Sequence, residues 1–455
     1  MTPTASPSAS SVAGVLQRAS PGLAVQAAPA SREAFRIGGR IPEAVAFPQT
    51  PEQAAQALAL AYAAGWGVVP WGAGQDMGAG RSPRRYDLAL SLSRLAAVVD
   101  HDADNLTVTA LAGLSLAETN RRLRSRHQFL ALGFDDEPQT LGGWIAVNRP
   151  VPRRLLYGDV RDQLLGLTVA TPDGRLVRYG RKVVKNVAGY DMNKLYTGSA
   201  GMLGVIVDVT FKLFALPDES AVALARFGGQ ESALAAAGEL YRSALSPAFL
   251  FLADGAGARL GFGAPAAPDS QGLTWLCAGF EGRSVGLRRQ TADALALMAR
   301  HGGSDGAELP GLPVAGRRWL QAPSVPGNAD AEVTVVRAGI APARIGWLVG
   351  EVQRLAADPD LGAGRRIAQT LTADYGGGIL RIALAGADVQ RLAAALQRVR
   401  AALESERGYL LLERAPAALT ERIGPWGELG GEAALMRVLR RQMDPHEILA
   451  PGRFL

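Results

Sequence analysis

Three glycine-bearing segments hold the residues best suited to chemistry. The first is Pro70-Trp-Gly-Ala-Gly-Gln-Asp-Met-Gly-Ala-Gly80. Its glycines permit tight turns and close backbone approach. Successive backbone N–H groups in such a loop can cradle a diphosphate. Pro70, Gly72, Ala73, Gly74, Gln75, Asp76 and Gly78 are therefore candidate phosphate-loop residues. A plain glycine-rich surface turn is the competing reading. The Rossmann fingerprint is excluded, because three residues separate Gly74 from Gly78 where that motif has two. A P-loop is excluded too, since no Gly-Lys-Ser/Thr follows.

The second segment is Thr140-Leu-Gly-Gly-Trp-Ile-Ala-Val-Asn148. Thr140, Gly142 and Gly143 either form a ligand-facing turn or simply start a strand over 142–147. The third is Lys185-Asn-Val-Ala-Gly-Tyr-Asp191, continued by Lys194-Leu-Tyr-Thr-Gly-Ser-Ala-Gly-Met-Leu-Gly-Val-Ile206. Asn186, Gly189, Tyr190, Gly198, Gly201, Gly204 and Ile206 would line a polar cofactor groove, or the stretch is a solvated loop. Asp191 and Lys194 can pair if the segment is helical.

Other chemistries are disfavoured. Cys277 is the only cysteine, so an intrachain disulfide, a four-thiolate zinc site and an iron–sulfur cluster held by this chain are excluded. His101, His127, His301 and His446 are isolated and form no metal-binding spacing. The net charge is +6 and the pI about 9.6. The basic residues are nearly all arginines spread along the chain, which argues against nucleic acid. The lysines are Lys182, Lys185, Lys194 and Lys212 alone, clustered around the third segment.

The 455 residues exceed one simple core and predict two or three domains. Hydrophobic residues make up 48%, too many for wholesale disorder, and no apolar run reaches membrane-spanning length. Residues 1–40 read as a flexible leader and lead-in, without the pattern of a secretory signal, and order is expected from Ile41. Thr50 caps a helix over 54–64, and Val68-Val69 is a strand entering the first glycine segment. Short strands are expected at 87–92, 106–110, 164–170, 176–179 and 204–214, with Ser115 capping a helix to Leu123. Beyond Pro217 the texture changes. Strands at 221–228, 273–280, 332–338 and 378–385 alternate with helices at 234–245, 286–299, 341–356 and 389–404, which suggests a separate α+β layer domain. Residues 255–272 and 302–316 are expected as loops. No internal repeat is present.

The three segments resemble the FAD-binding domain shared by vanillyl-alcohol oxidase and p-cresol methylhydroxylase (PCMH) relatives. Within that superfamily they are most similar to the FAD-binding E subunits of bacterial glycolate oxidases. The Arg154…Tyr157-Gly-Asp-Val-Arg-Asp162…Gly166 stretch and the ending Asp444-Pro445…Pro451-Gly452-Arg453 also match. The resemblance implies an α+β fold: a two-part PCMH-type FAD-binding domain at 41–217, an inserted α+β cap at 218–425, and a segment at 426–455 returning to the first domain. It implies that residues 70–78 wrap the FAD diphosphate, that Thr140–Gly143 approach the flavin, and that 198–206 line the cofactor's length. Many relatives attach flavin through a histidine or cysteine. Gln75-Asp76 stand in the loop here, so non-covalent FAD is expected.

Arg337, Arg381 and Arg453 are candidate cations facing the flavin or a carboxylate, because a guanidinium matches a carboxylate bidentately. The resemblance further implies two partners from a glycolate oxidase complex: its catalytic flavoprotein (the D subunit) and its iron–sulfur protein (the F subunit). The expected function is support of glycolate (or similar 2-hydroxy acid) oxidation within that complex. The His-rich signature of the catalytic flavoprotein is missing, and no metal is expected. Alternatives are a self-sufficient FAD-dependent alcohol or hydroxyacid dehydrogenase, and a non-catalytic subunit that keeps the fold. The expected location is the cytoplasm, or the inner face of the cell membrane through the complex.

Overall fold

A computed structural model describes residues 11–134, 137–182, 190–262, 264, 272–311, 333–356, 361, 368–427 and 430–455. The chain divides into two units: 1–150, 159–215 and 429–455 form the first, and 151–158 with 216–428 the second.

The first unit is built on two larger sheets, with a two-stranded one pairing Phe214–Ala215 with Gln128–Phe129. One contains Ala24–Gln26, Ala44–Phe47, Leu88–Ser91 and Val68–Trp71 in that spatial order. Its first pair is antiparallel and the rest parallel. Parallel strands need a crossover, and the helix Pro51–Ala64 supplies it. The Thr50 side chain accepts the Gln53 amide at its start, and Gly65 ends it at φ 69°, the left-handed stop that glycine adopts without strain. Ala54, Ala57, Leu58 and Ala61 are fully buried against the sheet core. The second sheet is antiparallel, ordered Val98–Asp102, Thr107–Leu111, Val205–Lys212, Leu164–Ala170 and Leu176–Gly180.

The second unit is an eight-stranded antiparallel sheet. Alternation places Ala221, Ala223 and Ala225 in one core with residues of the helices Gln230–Arg242, Ser284–Arg300, Ile345–Ala356 and Val389–Ser405. Val222 and Leu224 between them are also buried.

The structure corrects several expectations. Order starts before Ile41: Ser11 caps the helix Val12–Ala19, which buries Val12, Ala13 and Leu16. Alanine-rich composition hid a helix whose burial comes from tertiary packing. Residues 142–147 are not a strand: 142–146 belong to the helix Leu141–Ala146 and Val147 caps its end, because the Thr140 hydroxyl accepts the Gly143 amide as an N-cap. Short apolar runs do not distinguish the two by periodicity. The loop expected over 255–272 contains the helix Gly255–Phe262, opened by the Asp254 carboxylate accepting the Gly257 amide. The loop expected over 302–316 contains the edge strand Ser304–Pro310, paired to Glu219–Arg226. Residues 151–158 belong to the second unit rather than the first. Strands at Phe249–Ala253, Ala368–Asp374 and Tyr409–Arg414 complete the large sheet and were not expected.

Candidate functional site

The strand Val68–Trp71 delivers the first glycine segment to the end of the parallel sheet, where a strand's carboxyl end opens a crevice. An open cleft of about 100 Å³ lies there, in the kind of crevice where open α/β sheets bind ligands. Three walls form it. Pro70–Met77 is one; Gln139, Thr140, Gly142 and Gly143 are the second; Gly201, Gly204, Val205 and Ile206 are the third. Ala450, Arg453 and Phe454 also line it.

Glycines bring these walls close. A Cβ at Gly72 would collide with the Thr140 hydroxyl, and one at Gly142 would lie 2.8 Å from Ala112 Cβ. Gly74 and Gly201 sit at φ 75° and 72°, conformations that side-chain-bearing residues rarely adopt.

Polar side chains fix the loop from behind. Arg149 Nη1 donates to both Asp76 carboxylate oxygens at 3.2 Å, and Gln139 Nε2 donates to Oδ2 at 2.9 Å. Arg149 Nη2 also lies 3.8 Å from buried Glu137. Arg453 is 1% exposed and donates through Nη2 to the Met77 and Ala79 carbonyls. Burial lowers its pKa to about 10, offset in part by Tyr86. Trp71 Nε1 donates to the Tyr86 hydroxyl, which donates to the Phe35 carbonyl, each at 2.8 Å. Burial pushes the Tyr86 pKa above its usual 10.0, opposed by the Trp71 hydrogen bond. Phe35 packs edge-on against Trp71 at 4.9 Å, so the expected lead-in buttresses the cleft.

The cleft fits an anionic dinucleotide. Glycines leave backbone exposed to a ligand on all three walls. Two buried polar atoms of lining residues, Gln139 Oε1 and Arg453 Nη1, have no hydrogen-bond partner, a costly state for a buried group. No histidine or cysteine lines the cleft. Cys277 is wholly buried in the second unit, where burial raises its thiol pKa.

Among the expected residues, Pro70, Gly72, Ala73, Gly74, Gln75, Asp76, Thr140, Gly142, Gly143, Gly201, Gly204, Ile206 and Arg453 line this one cleft. Gly78 and Gly198 do not. Gly78 follows Asp76, whose carbonyl accepts the Ala79 amide in a turn, and Gly198 takes φ 84° in a turn of its own. Tyr190 is 94% exposed and off the cleft. Lys185, Asn186 and Gly189 lie outside the described residues. Asp191 and Lys194 do pair, at 3.1 Å, beside the short helix Met192–Tyr196. Arg337 and Arg381 are neighbours on paired strands of the second unit, and both bind Glu413.

Sequence reasoning missed Gln139, Arg149 and Phe454 at or behind the cleft. It also missed a buried group in the second unit. Arg153 Nη1 donates to Glu281 at 3.0 Å and the Tyr157 hydroxyl donates to the same carboxylate at 2.5 Å. Burial and the Glu281 charge push the Tyr157 pKa up. No spacing in the sequence links partners more than a hundred residues apart. Among the described residues, no group of three His, Cys, Asp or Glu could hold a metal, and no helix is long and apolar enough to cross a membrane.

Comparison with known proteins agrees with this geometry. Residues 42–180 match the FAD binding domain model, and residues 216–322 match that of the FAD linked oxidases, C-terminal domain. The chain is 29% identical over 219 residues to Glycolate oxidase subunit GlcD of Bacillus subtilis, covering 47% of this chain and 46% of that protein. It is 33% identical over 215 residues to D-2-hydroxyglutarate dehydrogenase of Xanthomonas citri pv. viticola, covering 46% of each. It is 38% identical over 125 residues to Glycolate oxidase subunit GlcE of Escherichia coli, covering 27% of this chain and 36% of that one. The matched segments thus span less than half of each relative. Among solved structures, p-cresol methylhydroxylase with substrate bound superposes with TM-score 0.69 at 13% identity, over 94% of this chain and 93% of that one. Alkyldihydroxyacetonephosphate synthase superposes with TM-score 0.71 at 18% identity, over 94% and 83%.

The fold is therefore the α+β PCMH-type FAD-binding fold, and its cofactor is non-covalently bound FAD. The chain is related to the glycolate oxidase and 2-hydroxy-acid dehydrogenase flavoproteins.

Proposed function

We propose that this chain, an FAD-linked oxidoreductase of the PCMH type, is a dehydrogenase that oxidises a small 2-hydroxy acid to the 2-oxo acid. The observation that carries the reading is the three-walled glycine cleft with its buried, half-satisfied Arg453, in a chain whose relatives include hydroxyacid dehydrogenases. When bound, FAD supplies the hydride acceptor for the carbon bearing the substrate hydroxyl. The chain's residues do the rest. Backbone amides of 72–76 hold the diphosphate, and Arg149 and Gln139 keep that loop in shape through Asp76. Thr140, Gly142 and Gly143 approach the flavin, while Gly201, Gly204 and Ile206 follow the cofactor's length. Gly78, Asn186, Gly189, Tyr190 and Gly198 are assigned to the groove by resemblance alone.

Self-sufficient turnover is the leading version, since the matched proteins include D-2-hydroxyglutarate dehydrogenase and several D-lactate dehydrogenases. The second version is a glycolate oxidase component acting beside a catalytic flavoprotein and an iron–sulfur protein. The higher identity to GlcE favours it. In either version electrons leave to an external acceptor, because Cys277 alone cannot hold a cluster.

The test is anaerobic mixing of the purified yellow protein with glycolate, D-lactate and D-2-hydroxyglutarate. Bleaching of the flavin band by one of them in the isolated chain establishes the dehydrogenase. Bleaching only after the partner proteins are added selects the second version. A colourless chain that takes up no FAD rejects both.

A further inference from the structure

Arg453 lines the cleft of the first unit and is 1% exposed. Buried charges are ordinarily paired, because taking an ion out of water is costly. Other buried arginines of this chain follow the rule. Arg149 has Asp76 and Glu137, Arg153 has Glu281, and Arg440 has Glu447 and Asp444 nearby. Arg453 has carbonyls and a ring instead. Its Nη2 donates to Met77 and Ala79, the Phe454 ring lies 5.2 Å away, and Nη1 has no hydrogen-bond partner. Among the described residues no carboxylate pairs with it, and the titratable group beside it is Tyr86. Burial raises the Tyr86 pKa, so it stays a neutral phenol at pH 7 and balances nothing. Arg84 lies against Gly452, the preceding residue, and its charge adds to the excess.

We propose that Arg453 is the counter-ion of the cofactor's diphosphate, its charge acting across the glycine loop that it clamps. On the FAD reading of this cleft, on which this role rests, backbone amides of 72–76 hold the diphosphate, and Arg453 adds the full charge that amides lack. Two considerations select the diphosphate over the flavin ring. The carbonyls that Arg453 holds belong to Met77 and Ala79, in the same glycine segment as 72–76 and not in the wall of Thr140 and Gly143. The diphosphate is also anionic in every redox state, whereas the oxidised ring is neutral, so a permanent buried cation matches the permanent anion. Hidden from water, the guanidinium is little screened, and its field reaches across the loop.

Titration of the cofactor-stripped full chain with FAD, followed by flavin fluorescence, tests this role together with the midpoint potential of the reloaded protein. Arg453→Gln keeps a donor for the loop carbonyls and removes the charge. It is expected to raise the FAD dissociation constant by about tenfold to a hundredfold. Oxidised and reduced FAD carry the same diphosphate, so the midpoint potential is expected to stay at the wild-type value. Arg453→Lys restores the charge without the planar fork and is expected to recover most of the lost affinity. A glutamine variant that binds FAD like wild type overturns the proposal. So does a lysine variant as weak as the glutamine one, which makes the clamp purely structural, or a fallen midpoint potential, which assigns the charge to the reduced flavin. If the glutamine variant shows no thermal transition, the lysine variant decides alone: retained FAD binding supports the role and lost binding overturns it. A wild-type chain that binds no FAD fails the cofactor reading itself and takes this role with it.

Discussion

Arg149 and Asp76 stand 73 residues apart in sequence, yet one guanidinium nitrogen lies 3.2 Å from both carboxylate oxygens. The contact ties the first glycine segment to the residue just beyond the second, so two walls of the cleft move together. Gln139 adds a second tie to the same carboxylate.

Removing that tie should loosen the loop before it unfolds the protein. Arg149→Met deletes the guanidinium and keeps much of the stem's packing. Because the Asp76 side chain is 30% exposed, water compensates in part. The expected loss is about 1–3 kcal/mol, read as a lower thermal midpoint, together with a reduced flavin-to-protein absorbance ratio. A variant with wild-type flavin content would detach Arg149 from the cofactor loop.

Gly74 and Gly65 offer a matched pair. Both hold left-handed backbone, at φ 75° and 69°. A Cβ at Gly65 meets nothing within 4 Å, while one at Gly74 would sit 3.1 Å from the Trp71 ring. Alanine at either position should cost about 1–2 kcal/mol of backbone strain. Only Gly74→Ala should also lose FAD, measured by flavin retained through gel filtration. Equal retention in both variants would remove Gly74 from the cofactor cradle.

Tyr86 sets an alkaline limit. Its folded pKa is raised above the usual 10.0 by burial, so the folded state keeps a proton that the unfolded chain releases. The stabilisation is complete below pH 10 and fades as pH rises above it. Tyr86→Phe should therefore flatten this part of the stability profile. At pH 7 the same change should cost about 1–2 kcal/mol for the two hydrogen bonds lost to Trp71 and Phe35. Denaturant melts of both proteins from neutral pH to beyond pH 10 check the crossing slopes.

Glu413 is the shared partner of Arg337 and Arg381, whose side chains are 12% and 10% exposed. Glu413→Gln takes the shared carboxylate charge away from two neighbouring, mostly buried cations. A loss of about 2–4 kcal/mol is expected, seen as a fall in the midpoint of the second unit's unfolding. A small effect would release the two arginines from a structural role and make them candidates again for a substrate carboxylate.

Much of this site could be read from residue types. Thr50, Gly65 and Ser115 place helix ends by local chemistry, and the structure puts them at those ends. The three glycine segments announce close backbone approach, and glycine has few other reasons to recur so densely beside a strand. What stayed hidden depends on partners distant in sequence. Arg149 looks like one arginine among many until Asp76 lies against it. The Ser304–Pro310 strand has too little apolar alternation to stand out, because an edge strand borrows its order from Glu219–Arg226. The helix at 141–146 and a strand there would carry the same apolar letters, and only the Thr140 cap decides between them.

The ending Asp444–Phe454 has a consequence for the order of assembly. Leu449 bridges Val68; the Val68 amide donates to Ile448, and Ala450 donates back to Val68. Arg81 and Arg84 reach Arg453 and Pro451 in the same manner. During synthesis the whole second unit must leave the ribosome before these last residues can lace down the strand that enters the cleft. Domains tend to form as they emerge, yet this one waits for a stitch from beyond the second unit. Cofactor capture thus waits until residues 444–454 have emerged, and a nascent chain cut short anywhere in the second unit has no finished seat for FAD.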